Sequence, residues 1–530
     1  MSAFIQEPCD ESIIRSRTAT APCAKSSGPW VLAATTLASS MAFIDGTVVN
    51  VALPALQTNL NATIVDVQWV IEAYSLLLAA LLLVGGSLGD HFGRRRVFVV
   101  GVALFAFASA WCGFAANIGQ LIAARAVQGL GAALLVPGSL AIISSSFPED
   151  QRGRAIGTWS GFSAITAAIG PVIGGWLIEH VSWRAVFFIN IPLALLVILM
   201  SLWRVPESSD KESAGLDWWG AILGALGLGA LVYGLIESSR LGFSDRSVVA
   251  ALVAATLLLA FFLIAEARVP NPMLPLTLFR SRTFAGANLL TFLLYGALGG
   301  TPFFLPLNLI QVQHYSATAA GAALLPFILI IFLLSRWSGG LVERYGPKIP
   351  LVAGPSIAAL GFALFMLPGV GGSYWQKFFP PIVTLGIGMA VSVAPLTTTV
   401  MNSATQNRVG IASGVNNAVA RGAGLLAIAV LGIVMLHVFN HALEQRLSAW
   451  KLPPSAWQSL QAQRSRLAAA SLPQEVDALT REAIGRAINE SFVHAFRWIM
   501  AIGATLSGVS AIGALLLIGA ATRKETFAGP

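Results

Sequence analysis

Long apolar runs separated by short polar segments dominate the pattern along the chain. A helix needs about 20 mainly apolar residues to cross the hydrocarbon core of a membrane. Runs of this kind predict fourteen membrane-spanning helices and therefore an all-α integral membrane protein. The predicted spans are 29–53, 67–88, 96–116, 119–143, 155–178, 184–203, 217–237, 247–267, 284–308, 318–341, 348–368, 378–400, 410–437 and 492–518.

The composition supports a membrane protein and excludes two other classes. Hydrophobic residues make up 56% of the chain and charged residues only 11%, whereas soluble domains carry about 25% charged residues. So few charges cannot cover a soluble enzyme of this length, and the high hydrophobic fraction excludes a disordered chain. The net charge of +8 would favour nucleic-acid binding in a soluble protein. Here we expect no nucleic-acid partner, because Lys and Arg concentrate in alternate loops.

The distribution of Lys and Arg predicts how the chain is oriented. If the N-terminus is cytoplasmic, the cytoplasmic loops hold far more Lys and Arg than the short outer loops do, as the positive-inside rule requires. We therefore expect a multi-pass protein of the cell membrane with both termini in the cytoplasm. The long outer segment 439–491 is expected to form two or three short amphipathic helices, which act as a spacer or lid or bind a partner.

An internal repeat divides the chain. The run "GSLGDHFGRRR" at 86–96 recurs as "GGLVERYGPK" at 339–348, each time at the end of an apolar span. Repeats at corresponding positions of two halves are typical of secondary transporters. The predicted regions are an N-terminal tail (1–28), a six-helix bundle (29–204), an inserted helix pair (205–268), a second six-helix bundle (269–518) and a C-terminal tail (519–530).

Three ionisable residues are predicted at similar depths inside spans: Asp45, Glu72 and Arg125. At 1.5 Å per residue they lie about 8 to 13 Å below the outer surface. A charge at mid-membrane costs at least about 2.5–3.5 kcal/mol, so such residues usually have a function. A carboxyl group there can bind a proton reversibly or hold a cationic ligand, and competition between the two would couple their fluxes. The structural alternatives are that Asp45 pairs with Arg125 or caps a kink, and that Glu72 reaches water.

Four further span residues are candidates for a substrate cavity. Arg421 lies deep in the thirteenth span, where it either faces an anionic substrate or meets helix carbonyls or Glu343. Phe292, Tyr295 and Met389 are candidates for its wall, although packing in the membrane core explains each of them as well.

Motifs of other protein classes are absent from the sequence. There is no GxxxxGK[ST] loop and no HExxH, so neither an ATP-driven pump nor a zinc hydrolase is indicated. The three cysteines form no disulfide or zinc pattern. We expect no enzymatic activity, no metal and no cofactor, and a proton gradient as the driving force.

The motifs taken together resemble the major facilitator superfamily. They are "FIDGTVVNVALP" at 43–54, the repeated loop motif, "RAVQGLGAAL" at 125–134 and "IGPVIGG" at 169–175. Fourteen spans with a central inserted pair resemble its drug:proton antiporters of the QacA/EmrB type. The resemblance covers about residues 29–518, and it implies two six-helix bundles plus two inserted helices.

The resemblance also implies roles for particular residues. The first loop motif would gate the cytoplasmic side, and the fifth-span motif would mark an exporter with Thr166 in place of its usual leading glycine. Asp45 would hold the acidic position of the first span, and Arg125 would take part in proton coupling. The second loop motif has Pro347 in place of its first basic residue, which would weaken that gate. The residues on these motifs are Asp90, Gly93, Arg94 and Arg95 in the first loop, Glu343, Gly346 and Lys348 in the second, and Gly170, Pro171, Gly174 and Gly175 in the fifth span.

The function expected from these features is proton-coupled export. An alternating-access antiporter would export small amphipathic, cationic drugs and so confer antibiotic resistance. Its expected partners are protons, a small-molecule substrate and the lipid bilayer, and it is expected to be a monomer. Two alternatives stay open: export of an endogenous or anionic metabolite, with Arg125 or Arg421 facing the anion, and a membrane sensor without transport.

Overall fold

The computed structural model describes residues 27–209, 217–270, 272–404, 409–448, 452–473 and 476–519. All regular secondary structure in these residues is helical. Thirteen helices among them are long and apolar enough to cross a membrane, and the shorter apolar helix Lys348–Leu364 matches the eleventh predicted span. The predicted all-α membrane fold is confirmed.

The helices follow the predicted order. They are α1 (Gly28–Asn59), α2 (Ile64–Phe92), α3 (Arg94–Phe114), α4 (Ile118–Ser146), α5 (Glu149–His180), α6 (Asn190–Arg204, preceded by the turn Ala185–Phe188), α7 (Trp218–Leu241), α8 (Arg246–Glu266), α9 (Arg282–Gly299, continued by Thr301–Leu307 and the π-turn Asn308–Val312), α10 (Ala317–Ala323 and Leu325–Gly339), α11 (Lys348–Leu364), α12 (Phe379–Asn402), α13 (Val409–Leu447) and α14 (Ala478–Leu517).

Side-chain caps fix where several of these helices begin. Thr63 and Asp66 form a capping box at the start of α2, and the Asn117 side chain accepts the Gln120 N–H at the start of α4. Each cap satisfies a backbone N–H that has no partner inside its own helix. The two caps therefore set the register of the helices that carry Glu72 and Arg125.

Glycines let α4 approach both α2 and α3 closely. A Cβ on Gly129 of α4 would lie 2.5 Å from the Tyr74 carbonyl oxygen of α2, and one on Gly131 would lie 2.6 Å from the Phe105 nitrogen of α3. Small residues at such crossings allow helix backbones to come together in a membrane. This close packing places the N-terminal half of α4 beside the segment of α2 that carries Glu72.

The helices α7 and α8 form a hairpin that packs on α2. Gly227 and Gly234, seven residues apart on α7, contact Leu259 and Leu252 of α8. The Trp69 indole of α2 donates a hydrogen bond to the Glu237 carboxylate of α7 at 2.9 Å. The inserted pair is thus attached to the N-terminal half of the chain.

The chain forms two compact units. The first contains Met1–Met273, Pro302–Leu325 and Ile428–Ala495, and the second contains Leu274–Thr301, Pro326–Ala427 and Phe496–Pro530. The first unit therefore includes α1–α8 and one end each of α9, α10, α13 and α14. The helices α9 and α10 are interrupted where the chain passes from one unit to the other, beside Pro302 and Pro326, because proline removes a helical hydrogen bond.

The long segment 439–491 was expected to form two or three short helices of its own, and part of it instead belongs to the neighbouring spans. α13 continues to Leu447 and α14 begins at Ala478, so both helices take in part of the segment. Between them, the described residues contain the helix Pro454–Gln463 and the 3₁₀ stretch Arg464–Ala469. The helix-favouring sequences at either end extend the spans because no proline interrupts them.

Candidate functional site

A buried ion pair joins α1 and α4. The Arg125 guanidinium forms a short hydrogen-bonded ion pair with Asp45 Oδ2, and the two side chains are 1% and 0% exposed. Gln128, one turn along α4, donates from Nε2 to Asp45 Oδ1 at 2.8 Å and accepts from Arg125 Nη1 at 2.7 Å. Both carboxylate oxygens are thus engaged, as a charge away from water requires.

The same network reaches α2 and α6. Arg125 Nε donates to the Val70 carbonyl oxygen of α2 at 3.0 Å, and the guanidinium lies 4.3 Å from the centre of the Tyr74 ring. Asn190, at the start of α6, donates to Asp45 Oδ1 at 3.4 Å and to Ser109 Oγ of α3 at 3.0 Å. The carboxylate and the guanidinium therefore connect four helices of the first unit directly, and Asn190 extends the network to α3.

Glu72 lies outside this network. Its side chain is fully buried, and neither carboxyl oxygen has a hydrogen-bond partner among the described residues. Tyr74 faces Arg125, and residues two apart on a helix point to different sides. The expected cluster of three ionisable groups is therefore resolved into a paired site at Asp45 and Arg125 and a separate buried carboxyl at Glu72.

The first loop motif forms ion pairs at the end of α2 and the start of α3. Asp90 accepts from Arg94 at 2.7 Å. Glu207, which follows α6, accepts the backbone N–H of Arg95 at 3.0 Å and lies 3.7 Å from the Arg95 side chain. A carboxylate at the start of α3 is favoured by the positive end of the helix dipole. Gly93 adopts a φ of +106°, which the sharp turn between α2 and α3 requires.

The second loop motif repeats the turn, but its charged residues Glu343 and Lys348 form no ion pair with the residues that the structure describes. Gly346 adopts a φ of +74°, as its counterpart in the first motif does. Glu343 is exposed and Lys348 is half-buried, and neither has an ion-pair partner among the described residues. The glycine thus keeps its conformational role in both copies, and the gating role of the charges stays a prediction.

The motif glycines of α5 lie in two helix contacts of the first unit. A Cβ on Gly170 or Gly174 would collide with Thr47 or Val48 of α1. A Cβ on Gly175 would collide with the Ala317 carbonyl oxygen of α10. Gly321 of α10 in turn has no space for a Cβ, because the Pro171 carbonyl oxygen occupies it. The two glycines, Gly175 on α5 and Gly321 on α10, thus bring the backbones of α5 and α10 into contact.

Two further hydrogen bonds join helices of the first unit near the end of α1 and the start of α2. Gln311, in the π-turn after α9, donates to Gln57 Oε1 at the end of α1 at 2.8 Å. Gln68 of α2 donates to the Ile428 carbonyl oxygen of α13 at 2.8 Å. Both lie at the end of α1 and α2 opposite the Asp90 loop. This end of the unit is therefore held together by polar contacts between the two halves of the sequence.

The four candidates for a substrate cavity lie in different surroundings. Tyr295 and Arg421 line the same cavity of about 270 Å³ in the second unit. Met389 is 2% exposed among core residues, and Phe292 is 41% exposed on the surface of α9. Met389 and Phe292 do not line this cavity, and a role for either in substrate binding stays a prediction.

Sequence reasoning missed Gln128, Asn190 and Glu207. Gln128 lies three residues after Arg125, so the spacing of one helical turn could have indicated it. Asn190 gave a weaker signal, as a polar residue inside an apolar span. Glu207 gave only the signal of an acidic residue in a basic loop region, since its partners are more than a hundred positions away.

The long apolar helices define a multi-pass α-helical membrane protein. A profile of the Major Facilitator Superfamily matches residues 35–429, and the chain belongs to this family. It is a transporter and not an enzyme, and the fold implied by the resemblance is confirmed.

Several relatives are multidrug or antibiotic resistance proteins. The chain is 35% identical to the multidrug resistance protein Stp of Mycobacterium tuberculosis over 78% of this chain and 77% of the relative. It is 34% identical to the tetracenomycin C resistance and export protein of Streptomyces glaucescens, with 77% and 76% covered. It is 36% identical to the puromycin resistance protein pur8 of Streptomyces alboniger, with 76% and 81% covered.

A solved structure confirms the fold. The chain superposes with a TM-score of 0.65 on a bacterial homologue of the human lysosomal transporter Spinster, described as inward-facing and unoccupied. The match covers 93% of this chain and 98% of that chain at 18% identity. This similarity supports the fold alone.

Proposed function

We propose that this protein exports small amphipathic compounds in exchange for protons. The observation that carries the proposal is the buried network of Asp45, Arg125 and Gln128. A buried pair of this kind is expensive to desolvate, and apolar residues of similar volume would often serve stability equally well. A transport function explains why the chain retains it.

Protonation of Asp45 would rearrange the network. A neutral Asp45 loses its ionic attraction for Arg125, which keeps its bonds to Gln128 and to the Val70 carbonyl oxygen. The bonds that Gln128 and Asn190 donate to the carboxylate weaken at the same time. Since these residues lie on α1, α4 and α6, a single proton changes the contacts between three helices, as a two-state switch requires.

Glu72 supplies a second proton-binding group. A buried carboxylate without a hydrogen-bond donor would be costly, so the neutral acid is the form that suits the surroundings of Glu72. Exposure to water in another conformation would let it release that proton. The membrane potential contributes about 2.3 kcal/mol per net charge per 100 mV, so the number of protons exchanged sets the driving force.

The proposed substrates are amphipathic and need carry no positive charge. The expected preference for cations depended on a free carboxylate at Asp45 or Glu72, and Arg125 neutralises the Asp45 carboxylate in this conformation. Relatives that confer resistance to puromycin and tetracenomycin C support a drug-like substrate.

We also propose that both termini face the cytoplasm of the cell and that the Asp90 loop lies on the same side. The excess of Lys and Arg in that set of loops supports this orientation. Single cysteines introduced at Asp90 and at Asn59 would be labelled from opposite sides by an impermeant maleimide. Labelling of Asp90→Cys from outside intact cells would show that the proposed orientation is wrong.

Purified protein in proteoliposomes tests the proposed transport. With the lumen acidified, wild-type protein should accumulate compounds from a panel that includes puromycin and tetracenomycin C, and a protonophore should abolish the accumulation. Asp45→Asn should lose this proton-driven uptake. A matched control is Glu237→Gln, which neutralises another buried carboxylate, bonded to Trp69 and outside the Asp45 network. If no compound moves with the gradient, or if Asp45→Asn transports like wild type, the proposal is wrong.

A further inference from the structure

The second unit contains a polar cavity of about 270 Å³ inside its membrane-spanning helices. It lies between α9, the last two turns of α12 and the first turns of α13. Known ligand pockets have volumes of about 300–1,000 Å³, so this cavity would hold one ring with its substituents and not a whole drug molecule. It therefore has the size of a subsite for one part of a substrate.

Hydrogen-bonding side chains dominate the lining of the cavity. Five of them lie on α9 and α13, namely Tyr295, Ser413, Asn416, Asn417 and Arg421, and Thr397 lies on α12. Polar and ionisable side chains are rare in membrane-spanning helices, and ionisable ones often mark substrate pathways. The lining is thus more polar than packing between helices requires.

The lining supplies donors and positive charge. Arg421 has five N–H donors and no acceptor, and no acidic side chain lines the cavity within the described residues. Asn417 is exposed to the cavity, and neither it nor Ser413 has a hydrogen bond to another described residue. A ligand with acceptor oxygens or a negative charge would complement this arrangement.

Asn416 is held in place by α9. Its Nδ2 donates to Thr291 Oγ1 at 2.6 Å and to Asn288 Oδ1 at 3.3 Å, and both partners are buried. These bonds fix which face of α13 packs against α9. Ser413 and Asn417, which lie three residues before Asn416 and one residue after it, therefore line the cavity beside it. The polar wall is thus built by the fold of the second unit.

We propose that this cavity is a subsite for an anionic or acceptor-rich group of the substrate, such as a carboxylate, phenolate or enolate. Arg421 binds the charged oxygen, and Asn417, Ser413 and Tyr295 bind its neighbours. Hydrogen bonds from a guanidinium to an anion are short and about twice as strong as neutral ones. The proposal rests on the proposed export function only in that the bound compound is a transported one.

Equilibrium binding of two xanthene dyes tests the subsite. Fluorescein carries carboxylate and phenolate groups, whereas rhodamine 6G is an esterified cation of similar ring size. Fluorescence polarisation with purified protein in nanodiscs should show fluorescein binding to wild type. Arg421→Gln should weaken it tenfold or more, equivalent to about 1.4 kcal/mol, and should change rhodamine 6G binding less than twofold.

Two further variants separate charge from packing. Arg421→Lys keeps the positive charge and should retain part of the affinity for fluorescein. Arg497→Gln is the control, because Arg497 lies in the same unit but donates to the Pro368 carbonyl oxygen and does not line the cavity. A thermal unfolding scan of each variant reports whether it is folded.

The outcomes are distinct. The subsite proposal is overturned if wild type does not bind fluorescein, or if Arg421→Gln weakens both dyes equally or neither of them. Binding without proton-driven transport would support the subsite while the proposed function fails. Proton-driven transport together with fluorescein binding that does not depend on Arg421 would support the proposed function and overturn the subsite.

Discussion

Arg125 on α4 and Asp45 on α1 are buried against each other 80 positions apart in the chain. Breaking a buried pair by removing one partner leaves an uncompensated charge and costs about 3–5 kcal/mol. The pair is therefore a structural tie between two helices and the centre of the proposed proton exchange. A double-mutant cycle can separate these two roles.

Asp45→Asn alone should lower the stability of the protein by about 3–5 kcal/mol, because Arg125 stays charged and buried. The double variant Asp45→Asn with Arg125→Gln should regain much of this stability, since no charge remains unpaired. It should still fail to accumulate substrate when a pH gradient is applied, since the proposed proton-binding carboxyl is gone. Unfolding in nanodiscs and uptake in proteoliposomes measure the two quantities. Proton-driven uptake by the double variant would contradict the coupling role.

Glu72→Gln should behave differently. Since the buried Glu72 is best accommodated as a neutral acid, the amide should change stability by no more than about 1 kcal/mol. The number of protons released per substrate should fall, as measured with a pH-sensitive dye in weakly buffered proteoliposomes. An unchanged proton count would show that Glu72 is not a coupling group, and a large loss of stability would show that it is ionised where it is buried.

Gly93→Ala should be poorly tolerated. Its φ of +106° disfavours any residue with a Cβ, and that Cβ would lie 2.8 Å from a Glu207 carboxylate oxygen. The strain alone costs about 1–2 kcal/mol, and displacement of Glu207 would also remove its bond to the start of α3. Gly346→Ala carries the backbone strain of a φ of +74° in the second motif copy, where the described residues form no ion pair with Glu343 or Lys348, so it is the matched control.

The difference between these two variants isolates the contribution of Glu207. Gly93→Ala should lower the transport rate more than Gly346→Ala, and Glu207→Gln should share that additional effect. Initial rates in proteoliposomes measure this order. Equal transport rates for Gly93→Ala and Gly346→Ala would show that Glu207 does not contribute to the transport rate.

Gly175→Ala should disrupt the contact between α5 and α10, because its Cβ would collide with the Ala317 carbonyl oxygen. Overpacking of this kind typically costs about 1–3 kcal/mol. The matched control on the same helix is Gly161→Ala, whose Cβ meets nothing within 4 Å. Thermal unfolding should separate the two variants, and equal stability would mean that α5 and α10 are not in backbone contact.

A cysteine pair at Gln57 and Gln311 should be joined by a short bifunctional methanethiosulfonate, because the two longer native side chains meet tip to tip at 2.8 Å and leave a gap between their Cβ atoms that the reagent spans. If this end of the first unit opens during transport, the cross-link should stop substrate uptake and a reductant should restore it. Each single cysteine variant is the control for loss of the hydrogen bond alone. Full transport by the cross-linked protein would show that these helices do not separate.

Much of the candidate site was predictable, and the reason is the membrane. Since a charge in lipid is costly, the few ionisable residues in spans stand out, and similar depth indicated that Asp45 and Arg125 could meet. Depth does not say which side of a helix a residue faces, so Glu72 was grouped with them although it points elsewhere. Gln128 and Asn190 carry no charge and drew no attention for that reason.

The sequence by itself determined the membrane fold, the helix order, the paired loop motifs and the family, because the length of apolar runs and the positions of glycine and proline act locally. Tertiary structure alone decided that Glu207 reaches the start of α3, that Pro171 and Gly321 bring α5 and α10 together, and that Tyr295 and Arg421 share a cavity. Each of these depends on the rotation of one helix about its axis relative to another. That rotation is set by side-chain packing between distant segments, which no local pattern records.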